Sequence, residues 1–493
     1  MSTTNASVGW QGFSGHGMPE RTFTMTIGGM PAEGVATFDV VNPATGQVIA
    51  SAPDCSPDQL DQAIAAAGAA FPAWAARSMA ERQQMLIAMA DAVDVHGPEL
   101  AELITLEQGK PGPVAVSEVA GLSYWLRETA RLEVRETVNQ DDAERLSVTR
   151  HLPLGVVAAI TPWNYPIGQA SFKIGPALLA GNTVVLKPSV FTPLANLRLG
   201  EVLRDVLPAG VLNVISGRDD LGPRVTGHPG FDKISFTGST RTGRLVMAEA
   251  ARTLSRVTLE LGGNDPAIVL PDADVKTVAP ALFWAAFANT GQICLATKRL
   301  YVHEDLYDDL AYELARLTEK VRVGDPSEAT VDLGPMSNIR QYEAVISLLE
   351  DCRDRGYRFL AGGLPQPGGR GYFVAPTLVD NPPEDARIVR EEQFGPVLPL
   401  LKYRDIDDAV ARANASEYGL GASVWGHDAE AARRVAVRLD AGTVWVNEVM
   451  HLHPAVPFGG RKQSGIGVES GLAGLLEFTE PQTLTVKHGN VRG

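Results

Sequence analysis

Five short and almost wholly apolar runs, at residues 156–160, 183–186, 211–215, 233–236 and 257–260, follow one another in this chain, with helical segments between most of them at 172–179, 194–207 and 241–252. Strands that hydrophobic must be buried on both faces, and the intervening helices provide the cover. The pattern therefore predicts a parallel sheet with helices on both sides. Such sheets hold ligands beyond the carboxyl ends of their strands. The second half repeats the alternation, with strands at 266–270, 300–303, 421–425 and 443–447 and helices at 306–321, 341–355, 406–414 and 428–439. An α/β chain with two sheets and a cleft between them is expected.

The segments outside this alternation divide into three. Residues 1–36, rich in Gly, Ser and Thr in their first part, carry neither a basic leader with an apolar centre nor an apolar span near the length of a membrane helix, and are expected to be flexible. Residues 37–133 open with a strand, turn and strand at 37–50 and continue with helices at 58–76, 79–95, 99–108 and 121–132. Residues 134–152 form short alternating segments about a polar turn. A hairpin is expected there, either as a surface ribbon or as an arm reaching a neighbouring subunit, and the strand-like run at 482–487 could pair with it.

A formal charge of −15 argues against nucleic acid or an anionic membrane as partner, since phosphates would be repelled over much of the surface. The three cysteines, Cys55, Cys294 and Cys352, are odd in number and widely spaced, which suggests neither a disulfide framework nor a zinc cage. A reducing, cytoplasmic location without a metal is expected.

The strand ends carry unusual chemistry. Glu260 closes the last strand of the first series and is followed by Gly262 and Gly263, and Cys294 lies after a Thr290-Gly291-Gln292 break. A thiol that attacks and a carboxylate that moves protons suit covalent catalysis, although a lone cysteine is more often an inert core thiol. Asn164, held between two prolines in Pro162-Trp-Asn-Tyr-Pro166, could hydrogen-bond a developing oxyanion or simply pack. Lys187 ends the next strand. Phe236-Thr-Gly-Ser-Thr240 opens a helix, where free N–H groups favour a phosphate; it lacks the six-residue dinucleotide fingerprint and could be only a cap.

Together, Pro162-Trp-Asn-Tyr-Pro166, Lys187-Pro188, Phe236-Thr-Gly-Ser-Thr240, Glu260-Leu-Gly-Gly263, Gly291-Gln-Ile-Cys294, Glu392-Gln-Phe-Gly-Pro396 and Pro457-Phe-Gly-Gly460 resemble, in order and spacing, the NAD(P)-dependent aldehyde dehydrogenase superfamily. The likeness runs from about residue 37 to about residue 487. It implies a Rossmann-like parallel-sheet cofactor domain (37–133 and 153–259), a second α/β catalytic domain (260–480), and a small β-hairpin oligomerisation arm (134–152 with 481–493) serving a homodimer or homotetramer.

The resemblance also implies roles. Cys294 would add to the aldehyde, Asn164 and the Cys294 N–H would hold the oxyanion, and Glu260 would activate the thiol and then the hydrolytic water. Lys173 and Glu469 match positions of a proton relay. NAD or NADP would be bound by Trp163, Lys187, Ser189, Thr237, Gly238, Ser239, Leu261, Glu392 and Phe394. One position departs from many NAD-preferring relatives: Val190 replaces a glutamate that would bind the adenosine ribose, so dual or relaxed cofactor use is expected. The aldehyde tunnel would be lined by Tyr165, Gln169, Phe172, Ile293, Leu295, Leu452 and Phe458 with His451 and His453 near its mouth, a mostly apolar set suited to aliphatic or aromatic aldehydes. A CoA-acylating enzyme and a thiol hydrolase are alternatives, distinguished by acid release without CoA and by dependence on NAD(P); a non-catalytic structural descendant is a third, which would have no reason to retain Cys294, Glu260 and Asn164 together.

Overall fold

The structure is a computed structural model that describes residues 21–366 and 368–488. The first sheet has eight strands. Its five parallel members lie in the order Leu212–Val214, Thr183–Lys187, Val156–Ile160, Lys233–Thr237, Arg256–Glu260. Numbered by chain position that order is 3-2-1-4-5, so the winding reverses between Val156–Ile160 and Lys233–Thr237. A doubly wound sheet has its ligand crevice at such a reversal. Parallel register sets Ile160 beside Lys187 and Thr237 beside Glu260, which brings the carboxyl ends of these strands to one edge.

The second sheet runs Phe359–Ala361, Thr377–Asp380, Val397–Tyr403, Thr297–His303, Asp265–Val269, Gly421–Trp425, Thr443–Val446, parallel throughout except for its first strand. The α/β architecture with two parallel sheets is as expected, and the lone hairpin is now accounted for. Arg145–Pro153 pairs on one side with Thr137–Asp141 and on the other with Thr479–Lys487, which matches Thr479 to Pro153 and Lys487 to Arg145. Every residue of Thr137–Asp141 and nearly every residue of Thr479–Lys487 is exposed, so this ribbon has no core of its own.

Two readings are corrected. The N-terminal segment is not loose throughout: Met25–Ile27 and Met30–Ala32 form a hairpin on the edge of the first sheet, with Thr26 opposite Val214 and with Phe23 and Met25 in the core. Residues 1–20 lie outside the described residues, as do 489–493, which the expected arm included. The helix expected at 121–132 runs instead over Gly112–Thr129, with Pro113 in its first turn, where the missing N–H costs nothing.

The chain crosses back once more. Gly465 and Ile466 pair antiparallel with Glu260 and Leu259 and so return the late chain to the first sheet.

Candidate active site

Cys294 follows an unusual piece of backbone. Asn289, Thr290 and Gly291 all adopt left-handed conformations, with φ of 49°, 57° and 70°. For a β-branched residue such as Thr290 this costs on the order of 1–3 kcal/mol and has to be held by its surroundings. The holding contacts are present: Thr290 Oγ1 donates to the Gly334 carbonyl at 2.9 Å, Gln292 Nε2 donates to the Asn289 carbonyl at 3.0 Å, and Gln292 Oε1 accepts from the Ser337 N–H at 2.8 Å. A Cβ on Gly291 would lie 2.2 Å from the Gly395 carbonyl oxygen, so only glycine fits. Gln292 is buried while Cys294 keeps partial exposure.

Asn164 is tied to the same turn. Its side-chain amide donates to the Gln292 carbonyl at 2.9 Å, and its own carbonyl accepts from Asn289 Nδ2 at 3.2 Å and from Lys110 Nζ at 2.9 Å. Lys110 is fully buried, ion-paired to Glu118, and 3.7 Å from the centroid of the Tyr165 ring. Glu118 in turn accepts from the N–H groups of Ile167 and Gly168. A buried ion pair with this many partners specifies geometry, and here it fixes the loop that leaves strand Val156–Ile160.

Glu260 is 4% exposed, and among the described residues neither carboxyl oxygen has a hydrogen-bond partner. Burial pushes its pKa well above the ordinary carboxylate range, and the Glu469 charge adds to the shift while Lys173 opposes it. Lys173 Nζ donates to Glu469 Oε1 at 2.7 Å and to Ser235 Oγ at 3.3 Å, which leaves a buried carboxyl, lysine and carboxyl in one group. Cys294 is pushed up to about 12, chiefly by burial; Lys298 pulls it down, and Asp265, Glu260 and Glu392 push it up. All four groups therefore lie within charge reach of the thiol.

The cofactor candidates gather along the carboxyl edge of the first sheet. Ser239 caps the helix Thr240–Thr253, its Oγ accepting from the Thr242 N–H at 3.3 Å, and Gly238 before it has no room for a side chain, since a Cβ would sit 2.5 Å from the Phe236 ring. Thr237 Oγ1 is buried without a partner among the described residues. Leu261 donates its N–H to the Ser464 carbonyl. From the other sheet, Glu392 Oε1 accepts from the Gly263 N–H at 3.0 Å, and Phe394 meets Trp163 edge to face with centroids 5.3 Å apart. Among the described residues Lys187 Nζ donates only to the Pro188 carbonyl, at 3.2 Å; burial pulls its pKa down to about 8, and Asp219 and Asp220 resist the shift. Ser189 Oγ accepts from the Phe191 N–H. A capped helix start, an orphaned hydroxyl, a glycine cradle and a carboxylate beside paired aromatic rings fit a dinucleotide with one phosphate-bearing and one ring-bearing end.

Of the expected tunnel residues, Ile293, Leu295, Leu452 and Phe458 pack with Cys294 in one apolar cluster. Leu420, Trp445, Val449 and Met450 complete it and were not anticipated. Phe172 packs edge to face on Trp125, and His451 and His453 are exposed. Lys298 and Asp265 were also missed, because a lysine or an aspartate on a strand reads as solvated from sequence alone.

The model of the aldehyde dehydrogenase family matches residues 30–484. Phenylacetaldehyde dehydrogenase of Pseudomonas fluorescens is 40% identical over 94% of this chain and 96% of its own. Among solved structures, an NAD-dependent aldehyde dehydrogenase from Sinorhizobium meliloti superposes with a TM-score of 0.92 at 37% identity, covering 96% of each chain. An NADP-dependent enzyme from E. coli gives 0.91 at 35% identity over 94% of this chain and 98% of its own. No helix among the described residues is long and apolar enough to cross a membrane.

Proposed function

The chain belongs to the aldehyde dehydrogenase family, and from that premise we propose that it oxidises an aliphatic or aromatic aldehyde to the carboxylic acid with NAD or NADP, using Cys294, Glu260 and Asn164. The observation that carries the reading is the hydrogen bond joining Asn164 to the Cys294 turn, with Glu260 within charge reach of the sulfur.

The sulfur of Cys294 adds to the aldehyde carbon as a thiolate, forming a thiohemiacetal. Asn164 Nδ2 and the Cys294 N–H supply donors to its oxyanion. The bound nicotinamide supplies the hydride acceptor. Glu260, in its ionised form, takes the thiol proton through water and later deprotonates the water that cleaves the thioester. Lys173 and Glu469 offer the proton a way out. Trp163, Lys187, Ser189, Thr237, Gly238, Ser239, Leu261, Glu392 and Phe394 would hold the cofactor, with Glu392 on the nicotinamide ribose and Ser239 on the pyrophosphate.

The apolar cluster about Cys294 supports aldehydes without phosphate or other charge, and the phenylacetaldehyde dehydrogenase relative supports aromatic ones. Val190 supports use of both cofactors. The first sheet would form the cofactor domain and the second the catalytic domain, with the exposed ribbon as an arm in a homodimer or homotetramer. Three unbonded cysteines accord with a cytoplasmic setting. An aldehyde panel followed at the NAD(P)H absorbance tests the activity: oxidation should vanish in Cys294→Ala, and undiminished oxidation in that variant would reject the mechanism.

A further inference from the structure

A buried cation joins the nucleophile turn to the cofactor cleft. Lys298 lies on strand Thr297–His303, four residues after Cys294, and is 3% exposed. Its ammonium turns back on the chain and donates to the carbonyls of Cys294 at 2.7 Å, Ile293 at 3.0 Å and Ala296 at 3.4 Å. It also stands 3.7 Å from the Glu392 carboxylate and 5.9 Å from the centroid of the Phe394 ring. Burying an ammonium costs several kcal/mol unless hydrogen bonds and opposite charge compensate it, and these contacts are the compensation.

Two consequences follow from that placement. Three bonds to carbonyls of the turn hold its peptide planes, and because the Ile293 carbonyl is turned to Lys298, the Cys294 N–H of the same trans peptide points away from it. The charges that act on the Cys294 thiol are those of Lys298, Asp265, Glu260 and Glu392, and of these Lys298, bonded to the Cys294 carbonyl itself, is the positive one. A negative thiolate beside three carboxyl groups therefore depends on this one cation.

We propose that Lys298 is a positioning residue which aims the Cys294 turn, favours its thiolate, and links seating of the nicotinamide ribose at Glu392 to the reactivity of the sulfur. The proposal rests on Cys294 being the nucleophile. A hydroxyl donating to Glu392 draws on the carboxylate that otherwise neutralises Lys298, and so leaves more of the ammonium's field for the sulfur. Cofactor binding then sharpens the nucleophile without moving the backbone.

The test is the rate at which iodoacetamide alkylates Cys294 between about pH 6 and 10, read by mass spectrometry of its peptide with Cys294→Ser as the blank, with and without NAD. Below its pKa a thiol loses tenfold in thiolate for each unit the pKa rises, so Lys298→Met should react at least about tenfold more slowly than wild type near pH 8, with its profile moved to higher pH. Lys298→Gln keeps donors for the carbonyls but no charge, and should be as slow while disturbing folding less. Asp265→Asn removes a negative neighbour and should react faster. Wild type should respond to NAD, and the Lys298 variants should not.

Profiles of Lys298→Gln that superpose on wild type would overturn the proposal, as would an unchanged rate in Asp265→Asn if neither Lys298 variant folds. The underlying reading fails separately: a protein fully alkylated at Cys294 that still oxidised aldehyde would dismiss Cys294 itself, whatever Lys298 does.

Discussion

The side-chain amide of Asn164 donates to the carbonyl of Gln292 across 2.9 Å, which ties the loop of one sheet to the turn that carries Cys294 in the other. On the proposed mechanism, an amide fixed to that turn would donate to an oxyanion forming at the sulfur. Asn164→Ala should lower kcat by about 10²–10³-fold, roughly 2.7–4 kcal/mol, as removal of a single oxyanion donor does elsewhere. Steady-state kinetics check this alongside a melting curve, and an unchanged kcat would take Asn164 out of the mechanism.

Glu260→Gln should leave the first turnover visible as a burst of NAD(P)H and slow the turnovers that follow, since release of the acid needs the base. In wild type the steady-state rate should climb with pH, because burial raises the Glu260 pKa and only the deprotonated form is a base. The climb should be missing in Glu260→Gln. Stopped-flow traces across pH separate these outcomes.

The same carboxyl bears on stability. Its folded pKa is raised, so the folded state binds the proton more tightly than the unfolded chain. The resulting stabilisation is whole below about pH 4.3, the unfolded value, and is lost as pH rises through the folded pKa. Glu260→Gln should therefore gain in melting temperature relative to wild type at alkaline pH. A gap that shrinks on the alkaline side would contradict it.

Burial brings the pKa of Lys187, proposed to hold the cofactor, down to about 8. Its charge should fade as pH passes that value, and NADPH, which carries the extra phosphate, should lose affinity faster than NADH. Val190→Glu should raise the NAD to NADP ratio of kcat/KM by at least about tenfold, near 1.4 kcal/mol, by restoring a ribose acceptor and repelling that phosphate. Fluorescence titration with both reduced cofactors measures the first, initial rates the second. If wild type already prefers NAD by more than about a hundredfold, or 2.7 kcal/mol, the expectation of relaxed use is wrong.

The three-stranded ribbon leaves Val138, Leu484 and Val486 exposed. Ending the chain at residue 478 removes strand Thr479–Lys487 and should reduce the assembly to smaller species in light scattering. A truncated chain of unchanged mass would leave the ribbon as mere surface.

What could be read beforehand follows from where each residue stands. Strands buried on both faces announce themselves, and so the carboxyl edge bearing Lys187, Thr237 and Glu260 was legible. Val397–Tyr403 was not: Pro399 lies in the middle of an interior strand, a place where a residue with no N–H argues against a ladder. The short Met25–Ile27 hairpin has too few residues to show a period. Lys298, Asp265 and the Lys110–Glu118 pair escaped notice because charge on a strand or helix reads as surface until the fold encloses it.

The pairing of Gly465 and Ile466 with Glu260 and Leu259 sets a mechanical limit. It stitches the tail of the late chain to the very strand that delivers Glu260, so swinging the two halves apart like a book would break these backbone hydrogen bonds beside the reacting carboxyl. Shifts of loops and side chains leave that seam intact and are the less costly way in and out of the pocket.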